Sequence, residues 1–279
     1  VAPSPVPYTV GGAEKLWWGL LNQINQQTLH QVELIKLPSP EQEFWQLMDS
    51  YRAFSELNLD HFDMVISTKY PAWMVKHHNH HCYLQHKLRG LYDTYHFCGQ
   101  PIEVESVPAE LNPLIQLLSQ QKTDRSQLPA LWDELERLKA LELPDDTFAF
   151  PGPLTRKIIH FLDGIALATG SIKRYGAISH NVAGREDYFP QGVPVHVTHH
   201  PSYVTEFGNS GYDYIFTISR LDGPKRIRML VEAFMKTTAD REFRIAGTGP
   251  EAEALRELAK DDPRVKFLGR ITDQQVVKA

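Results

Sequence analysis

Between residues 214 and 270, strand-like and helix-like segments alternate at a short, regular pace, and this alternation restricts the fold more than any other feature. Residues 214–219 (YIFTIS) are β-branched and aromatic, and a basic loop follows at 220–225. Met229, Leu230, Ala233 and Phe234 then recur at helical spacing. Residues 243–246 read as a second strand, stopped by Gly247-Thr248-Gly249-Pro250. Ala252, Leu255, Leu258 and Ala259 mark another amphipathic helix, and 265–268 a third strand. Elements in this order build a parallel sheet with crossover helices, and such sheets bind ligands beyond the carboxyl ends of their strands. Arg220, Lys225, Gly247 and Gly249 all fall at those ends. Arg offers a planar fork for phosphate oxygens, Lys a mobile charge, and a glycine turn before a helix offers bare N–H groups. The set suits a phosphorylated ligand; solvated loop charges are the alternative reading.

The upstream chain repeats the theme. Val10-Gly11-Gly12-Ala13-Glu14 follows a strand-like opening and precedes an apolar helical face of Leu16, Trp17, Leu20, Leu21 and Ile24. A strand is predicted at 32–37, a helix at 40–54 and a buried parallel strand at 63–67. His77, His78, His80, His81, Cys82 and His86 crowd the next stretch, but no second paired set completes a tetrahedral metal pattern. A solvated loop is the expectation for 77–80, whereas His86 ends the apolar run CYLQ at a strand's carboxyl end. Lys87, Arg89, Tyr92 and Asp93 could then line an acceptor side or open a helix.

From 97 to 150 the pattern departs from a minimal strand–helix alternation. Leu111, Leu114, Leu117 and Leu118, then Leu131, Leu135, Leu138 and Leu141, predict two amphipathic helices, read as an insertion at about 100–150 beside the cleft. A helix at 158–167, a strand at 175–179, a short helix at 181–189 carrying Arg185 and a strand at 193–199 follow. Residues 199–213 lose the apolar rhythm and read as a linker.

Composition excludes several classes. A chain of 279 residues, 42% hydrophobic, can bury a sizeable core. A net charge of −5 gives neither a nucleic-acid footprint nor a polybasic anchor. Cys82 and Cys98 are read as reduced thiols, no apolar run approaches the roughly 20 residues of a membrane span, and no signal peptide opens the chain. A cytoplasmic protein is the expectation.

The blocks SRLDGPKRIRMLVEAF, RIAGTGPEAEALRELA and VKFLGRITD, in this order and spacing, resemble the C-terminal domain of family-four retaining glycosyltransferases. YGAISHNVAGREDYFP, VPVHVTHHPS and the glycine loop at 10–14 resemble the same family, so the likeness covers most of the chain outside the insertion. It implies an α/β, GT-B fold of two facing Rossmann-like domains with parallel sheets, here 1–205 and 206–279. The second sheet would be incomplete at three strands, its domain continuing past residue 279 into the part that carries the family's glutamate pair. By the resemblance, Arg220 and Lys225 grip the diphosphate of a nucleotide-diphosphate sugar, and the Gly11 and Gly12 amides approach its phosphate and sugar. Gly247 and Gly249 line that cleft, backbone at Arg270 and Ile271 holds the base, and His86 contacts the transferred sugar as the catalytic residue.

The implied reaction is transfer, with retained configuration and without a metal, to a glycan or lipid-linked acceptor. No Asp-x-Asp pair is present for the metal-dependent alternative. The segment HKLRGLYD is most similar to enzymes that build bacterial surface polysaccharides, which points to GDP-mannose as the sugar source and to peripheral association with the inner face of the membrane. Two other readings stand beside it. Gly247-Thr248-Gly249-Pro250-Glu251-Ala252 fits the G-x-G-x-x-A of an NAD(P)-dependent oxidoreductase, although Pro250 lacks an N–H. A glycosyltransferase-like protein that binds without catalysing is the third.

Overall fold

Every strand pair described in the structure is parallel, as the alternation of elements requires. The computed structural model describes residues 1–8, 10–40, 43–105, 107–120, 124–204 and 211–278. Two units separate, Val1–Tyr203 and Val204–Ala279. Part of the linker read from the sequence, 205–210, lies outside the described residues.

In the first unit β1 (Ala2–Pro5) leads into α1 (Gly12–Gln27) and pairs with β2 (Lys36–Ser39). After α2 (Phe44–Glu56), β3 (Val65–Lys69) and β4 (His80–His86) pair, followed by α3 (Asn112–Leu118), α4 (Leu128–Lys139) and α5 (Pro153–Ala166). β5 (Arg174–Ala177), α6 (His180–Ala183) and β6 (Val195–Val197) complete a four-stranded sheet in the order β3-β4-β5-β6. Val1 N donates to Ile66 O at 2.7 Å, which sets the start of β1 beside β3.

Strand alternation sends neighbouring side chains to opposite faces. Cys82, Leu84 and Ala177 join a core with Phe44, Leu47 and Tyr51 of α2 and Ile158, Ile159 and Leu162 of α5. Tyr83 and Ile178 instead pack on Leu16 and Trp17 of α1. Helices therefore cover both faces of the sheet, the doubly wound arrangement. The segment with the two leucine repeats carries the two helices expected, α3 and α4, and Leu111, Leu114, Leu131 and Leu138 are buried in the same core as α5. Arg125 fastens it: the guanidinium donates to Met74 O at 2.6 Å, Val75 O at 3.0 Å and Trp73 O at 3.4 Å.

Several boundaries differ from the sequence reading. The strand expected at 32–37 begins only at Lys36: Asn25 on α1 holds both the N–H and the C=O of Val32, and Ile35 O accepts from Ala2 N at 3.0 Å just before the paired residues start. The helix expected at 181–189 stops after Ala183, where Gly184 caps it, and Arg185 turns to the Tyr188 hydroxyl at 3.0 Å. The helix expected from 40 starts at Phe44, and the strand expected at 193–199 keeps only Val195–Val197.

The second unit runs β7 (Tyr214–Ile218), α7 (Ile227–Met235), β8 (Glu242–Ala246), α8 (Ala252–Leu258), β9 (Val265–Gly269) and α9 (Asp273–Lys278), with strand order β7-β8-β9. Its core is small: Ile227, Val231 and Phe234 of α7 meet Phe243, Ile245, Leu255 and Val265. The apolar face predicted for α7 is corrected here, since Met229 and Leu230 are 53% and 39% exposed. Arg226, in the left-handed region at φ 53, starts the helix at Ile227 and turns the 227/231/234 stripe toward the sheet. A capping box forms at Thr272 and Gln275, with Thr272 N donating to Gln275 Oε1 at 2.8 Å and Gln275 N to Thr272 Oγ1 at 3.3 Å.

Candidate functional site

In the second unit the loops that leave β7, β8 and β9 are laced together through the main chain. Ser219 N donates to Ala246 O at 3.0 Å, Leu221 N to Thr248 O at 2.9 Å, Glu251 N to Leu221 O at 3.0 Å and Gly247 N to Gly269 O at 2.7 Å. This lacing admits no side chain at two positions. Gly247 sits at φ +126, and a Cβ there would lie 1.8 Å from Ser219 O; one on Gly249 would lie 2.2 Å from Leu221 O. The glycines therefore let one loop cross another. The expectation of a row of bare amides is corrected, because the Gly247 and Glu251 N–H groups have partners and Pro250 has none to offer. Thr248 and Gly249 keep N–H groups without a partner among the described residues.

The crossing carries the cations. Arg220 is 71% exposed, and its Nε donates to the Asp222 carboxylate. Lys225 is exposed at the end of the single turn Gly223–Lys225, and Arg270 is exposed just after Gly269. Ile271 is half-buried. Loops at one end of a three-stranded sheet thus present Arg220, Lys225 and Arg270, held in place by main-chain bonds rather than by a large core. Asp222 was missed by sequence reasoning, although an acid two residues after Arg220 is visible there. Its carboxylate is mostly buried, with Oδ1 unpartnered and Oδ2 aligning the Arg220 fork.

In the first unit Gly11 N donates to Glu14 Oε2 at 2.9 Å, so one of the two loop amides already serves the helix cap. Gly12 is exposed, and a Cβ there would meet nothing within 4 Å. One turn on, Lys15 Nζ donates to the Tyr203 hydroxyl at 2.7 Å. His86 is half-buried as the last residue of β4, in register with Lys69 across a bulge. Its Nδ1 donates to Lys87 O at 2.8 Å, and its ring stands edge-on to Tyr70 at 5.8 Å. Lys69 at that strand end is a further cation that sequence reasoning did not single out.

Three of the four residues proposed for the acceptor side are tied into the interior instead. Lys87 is buried, donates to Asp187 O at 2.7 Å and lies 4.6 Å over the Tyr92 ring. Burial lowers its pKa, with the Asp163 charge opposing. Asp163 is fully buried and accepts from Tyr51 at 2.9 Å, Trp73 Nε1 at 2.8 Å and Tyr92 at 2.8 Å. Burial and that same carboxylate push both tyrosines well above the usual phenol range. Asp93 accepts from the Tyr188 hydroxyl at 2.7 Å and pairs with Arg89 at 2.8 Å. Burial raises its pKa, but those two bonds and Arg185 outweigh it and leave it lowered. Arg89 is the most exposed of the four, 46% against 24% for Asp93.

Asp163→Ala would leave three buried donors without an acceptor. It is expected to cost about 3–5 kcal/mol and to lower Tm by roughly 6–20 °C, with Asp163→Asn losing less. Thermal unfolding followed by circular dichroism checks it. A Tm for Asp163→Ala within about 1 °C of the parent would contradict the network.

The histidines divide by burial, which corrects the reading of 77–80 as a solvated loop. His78 is exposed, but buried His77 donates from Nε2 to Phe62 O at 2.9 Å and accepts from Asn79 N at 3.1 Å. His80 is fully buried against Ser67 Oγ at 2.8 Å, and burial, with Arg125 adding to it, drops its pKa to about 3. Among the described residues no group of three His, Cys, Asp or Glu is placed to hold a metal. Cys82 is buried, and burial pushes its thiol up to about 12, so it is an inert core residue; Cys98 is half-buried and free. No described helix is long and apolar enough to cross a membrane.

The loop-laced unit has a counterpart among known families. Residues 212–279 match the model of the family described as "Glycosyl transferases group 1". None of the curated proteins matches the chain. Among solved structures, "lipopolysaccharide outer core galactosyltransferase WaaB apo form" is similar at 14% identity and a TM-score of 0.41, covering 99% of this chain and 70% of that one.

Proposed function

We propose that the protein transfers a sugar, with retained anomeric configuration and without a metal ion, from a nucleotide-diphosphate sugar to a glycan or lipid-linked acceptor. The carrying observation is that the segment matching the glycosyl transferases group 1 family is the one whose laced loops present Arg220, Lys225 and Arg270 at a sheet's carboxyl end. In this reading residues 206–279 take the sugar nucleotide and residues 1–205 the acceptor. Departure of the diphosphate builds negative charge. Arg220, aligned by Asp222, and Lys225 meet that charge as it forms, which lowers the barrier more than it strengthens ground-state binding. The Gly12 amide and Lys15 add positive potential at the start of α1. His86 would sit over the sugar, GDP-mannose would be the sugar source, and the site of action would be the cytoplasmic face of the membrane.

The oxidoreductase reading is disfavoured by particulars. Gly247 and Glu251 spend their N–H groups on neighbouring loops, and Arg270, not an acid, follows β9. Incubation of the full-length protein with a panel of nucleotide sugars and acceptors, with the product's anomeric coupling read by NMR, tests the proposal. It predicts a product with the configuration of the sugar nucleotide, undiminished by EDTA. An inverted product, or none with any sugar nucleotide that binds, would overturn it, the latter in favour of a binding protein.

A further inference from the structure

A cavity of about 300 Å³ opens in the first unit between α5 and the segment at 102–104, apart from the strand-end residues above. Its walls are of two kinds. Ile102, Val104, Leu118 and Phe161 are apolar, whereas Arg156, Lys157 and His160 come from one side of α5 at i, i+1 and i+4. Glu103 is the only acid in the lining, and it is exposed, where solvent screens it. Arg156 and Lys157 therefore set the sign of the cavity.

Neither Arg156 nor Lys157 is neutralised by a carboxylate among the described residues. Arg156 lies 5.4 Å from the Tyr95 ring, and its Nε is buried with no hydrogen-bond partner. Lys157 makes no ion pair among the described residues. That Nε of Arg156 is closed off from the cavity, so a ligand there would meet the terminal nitrogens of the Arg156 fork and the Lys157 ammonium. His160 is held firmly: its Nε2 donates to Leu91 O at 2.9 Å, and its ring stacks on Tyr92 at 3.9 Å. With Nε2 carrying the proton, Nδ1 is an acceptor suited to a hydroxyl. A guanidinium fork and an ammonium beside an apolar wall match a phosphate joined to hydrocarbon.

We infer that this cavity is a second ligand site, taking the phosphate of an amphiphilic molecule between Arg156 and Lys157 with its apolar part against Ile102, Val104, Leu118 and Phe161. That the amphiphile is the acceptor rests on the glycosyl-transfer reading; the binding does not.

Calorimetric titration of the full chain with hexyl phosphate, inorganic phosphate and hexanol tests it. Hexyl phosphate should saturate one site, bind at least about tenfold more tightly than either fragment, and remain bound at saturating nucleoside diphosphate. Lys157→Gln, on a partly exposed helical position, should weaken hexyl phosphate by about tenfold, and Arg156→Lys should weaken it further than loss of charge explains. Unchanged affinity in Lys157→Gln, displacement by nucleoside diphosphate, or equal binding of phosphate alone would overturn the site. Failure of nucleoside diphosphate to bind while hexyl phosphate still does would instead count against the sugar-nucleotide reading and leave this one standing.

Discussion

Gly247→Ala is expected to abolish the folded state of the second unit under mild conditions. A Cβ at this position would lie 1.8 Å from Ser219 O, on a backbone at φ +126 that alanine rarely adopts. Neither atom belongs to a flexible side chain, so the β7 and β8 loops must separate. Separation breaks the bonds from Leu221 N to Thr248 O and from Glu251 N to Leu221 O. Strain of this kind and the lost lacing together cost about 3–5 kcal/mol or more. That is a large share of the 5–15 kcal/mol of net stability that a domain typically has, and this unit rests on a small core. Amide exchange should report early loss of protection in β7, β8 and β9. Gly12→Ala is the control: its Cβ meets nothing within 4 Å, and alanine in a first helical turn should be neutral or stabilise by up to about 1 kcal/mol. Equal stability of Gly247→Ala and the parent would show that the loops do not depend on their crossing.

The two glycine motifs show where reading a sequence succeeds and where it stops. Both were legible as turns between a strand and a helix, because glycine between periodic segments punctuates the chain. What each glycine is for was not legible. Gly247 and Gly249 serve a contact with residues 219–221, and local sequence does not say which backbone will cross a turn. The α7 face failed for a related reason. Met229, Leu230 and Phe234 are all apolar, and only the left-handed Arg226 decides which stripe meets the sheet. Long periodic elements such as α4 and α5 survived because their leucines and isoleucines leave one apolar face. Asp163 was invisible: its partners Tyr51, Trp73 and Tyr92 come from three separate segments, and a lone aspartate in an apolar helix carries no local signal. His77 and His80 misled in the opposite sense, since polar runs read as solvent-facing until their buried acceptors are known.

The second large effect concerns ligand binding. Arg220 and Lys225 are both exposed. Removing Lys225 leaves no buried charge unpaired, whereas removing Arg220 strips the mostly buried Asp222 carboxylate of its partner, so circular dichroism checks the fold of the Arg220 variants before binding is read. A charge-assisted contact to phosphate is worth about 1.5–3 kcal/mol, so Arg220→Ala and Lys225→Ala should each weaken nucleoside-diphosphate binding roughly ten- to a hundredfold. Arg220→Lys should recover only part of the loss, because Asp222 aligns a planar fork that an ammonium does not reproduce. Raising the salt concentration should weaken the parent more than either variant, since exposed charges are screened.

Calorimetry of the full chain with a nucleoside diphosphate and with the matching bare nucleoside tests the account most directly. The account predicts that Arg220→Ala and Lys225→Ala lose affinity for the diphosphate by that factor and keep their affinity for the nucleoside, which the backbone near Arg270 and Ile271 would hold. Equal weakening toward both ligands would mean that Arg220 and Lys225 only support their loop, and the assignment of the diphosphate site would fall.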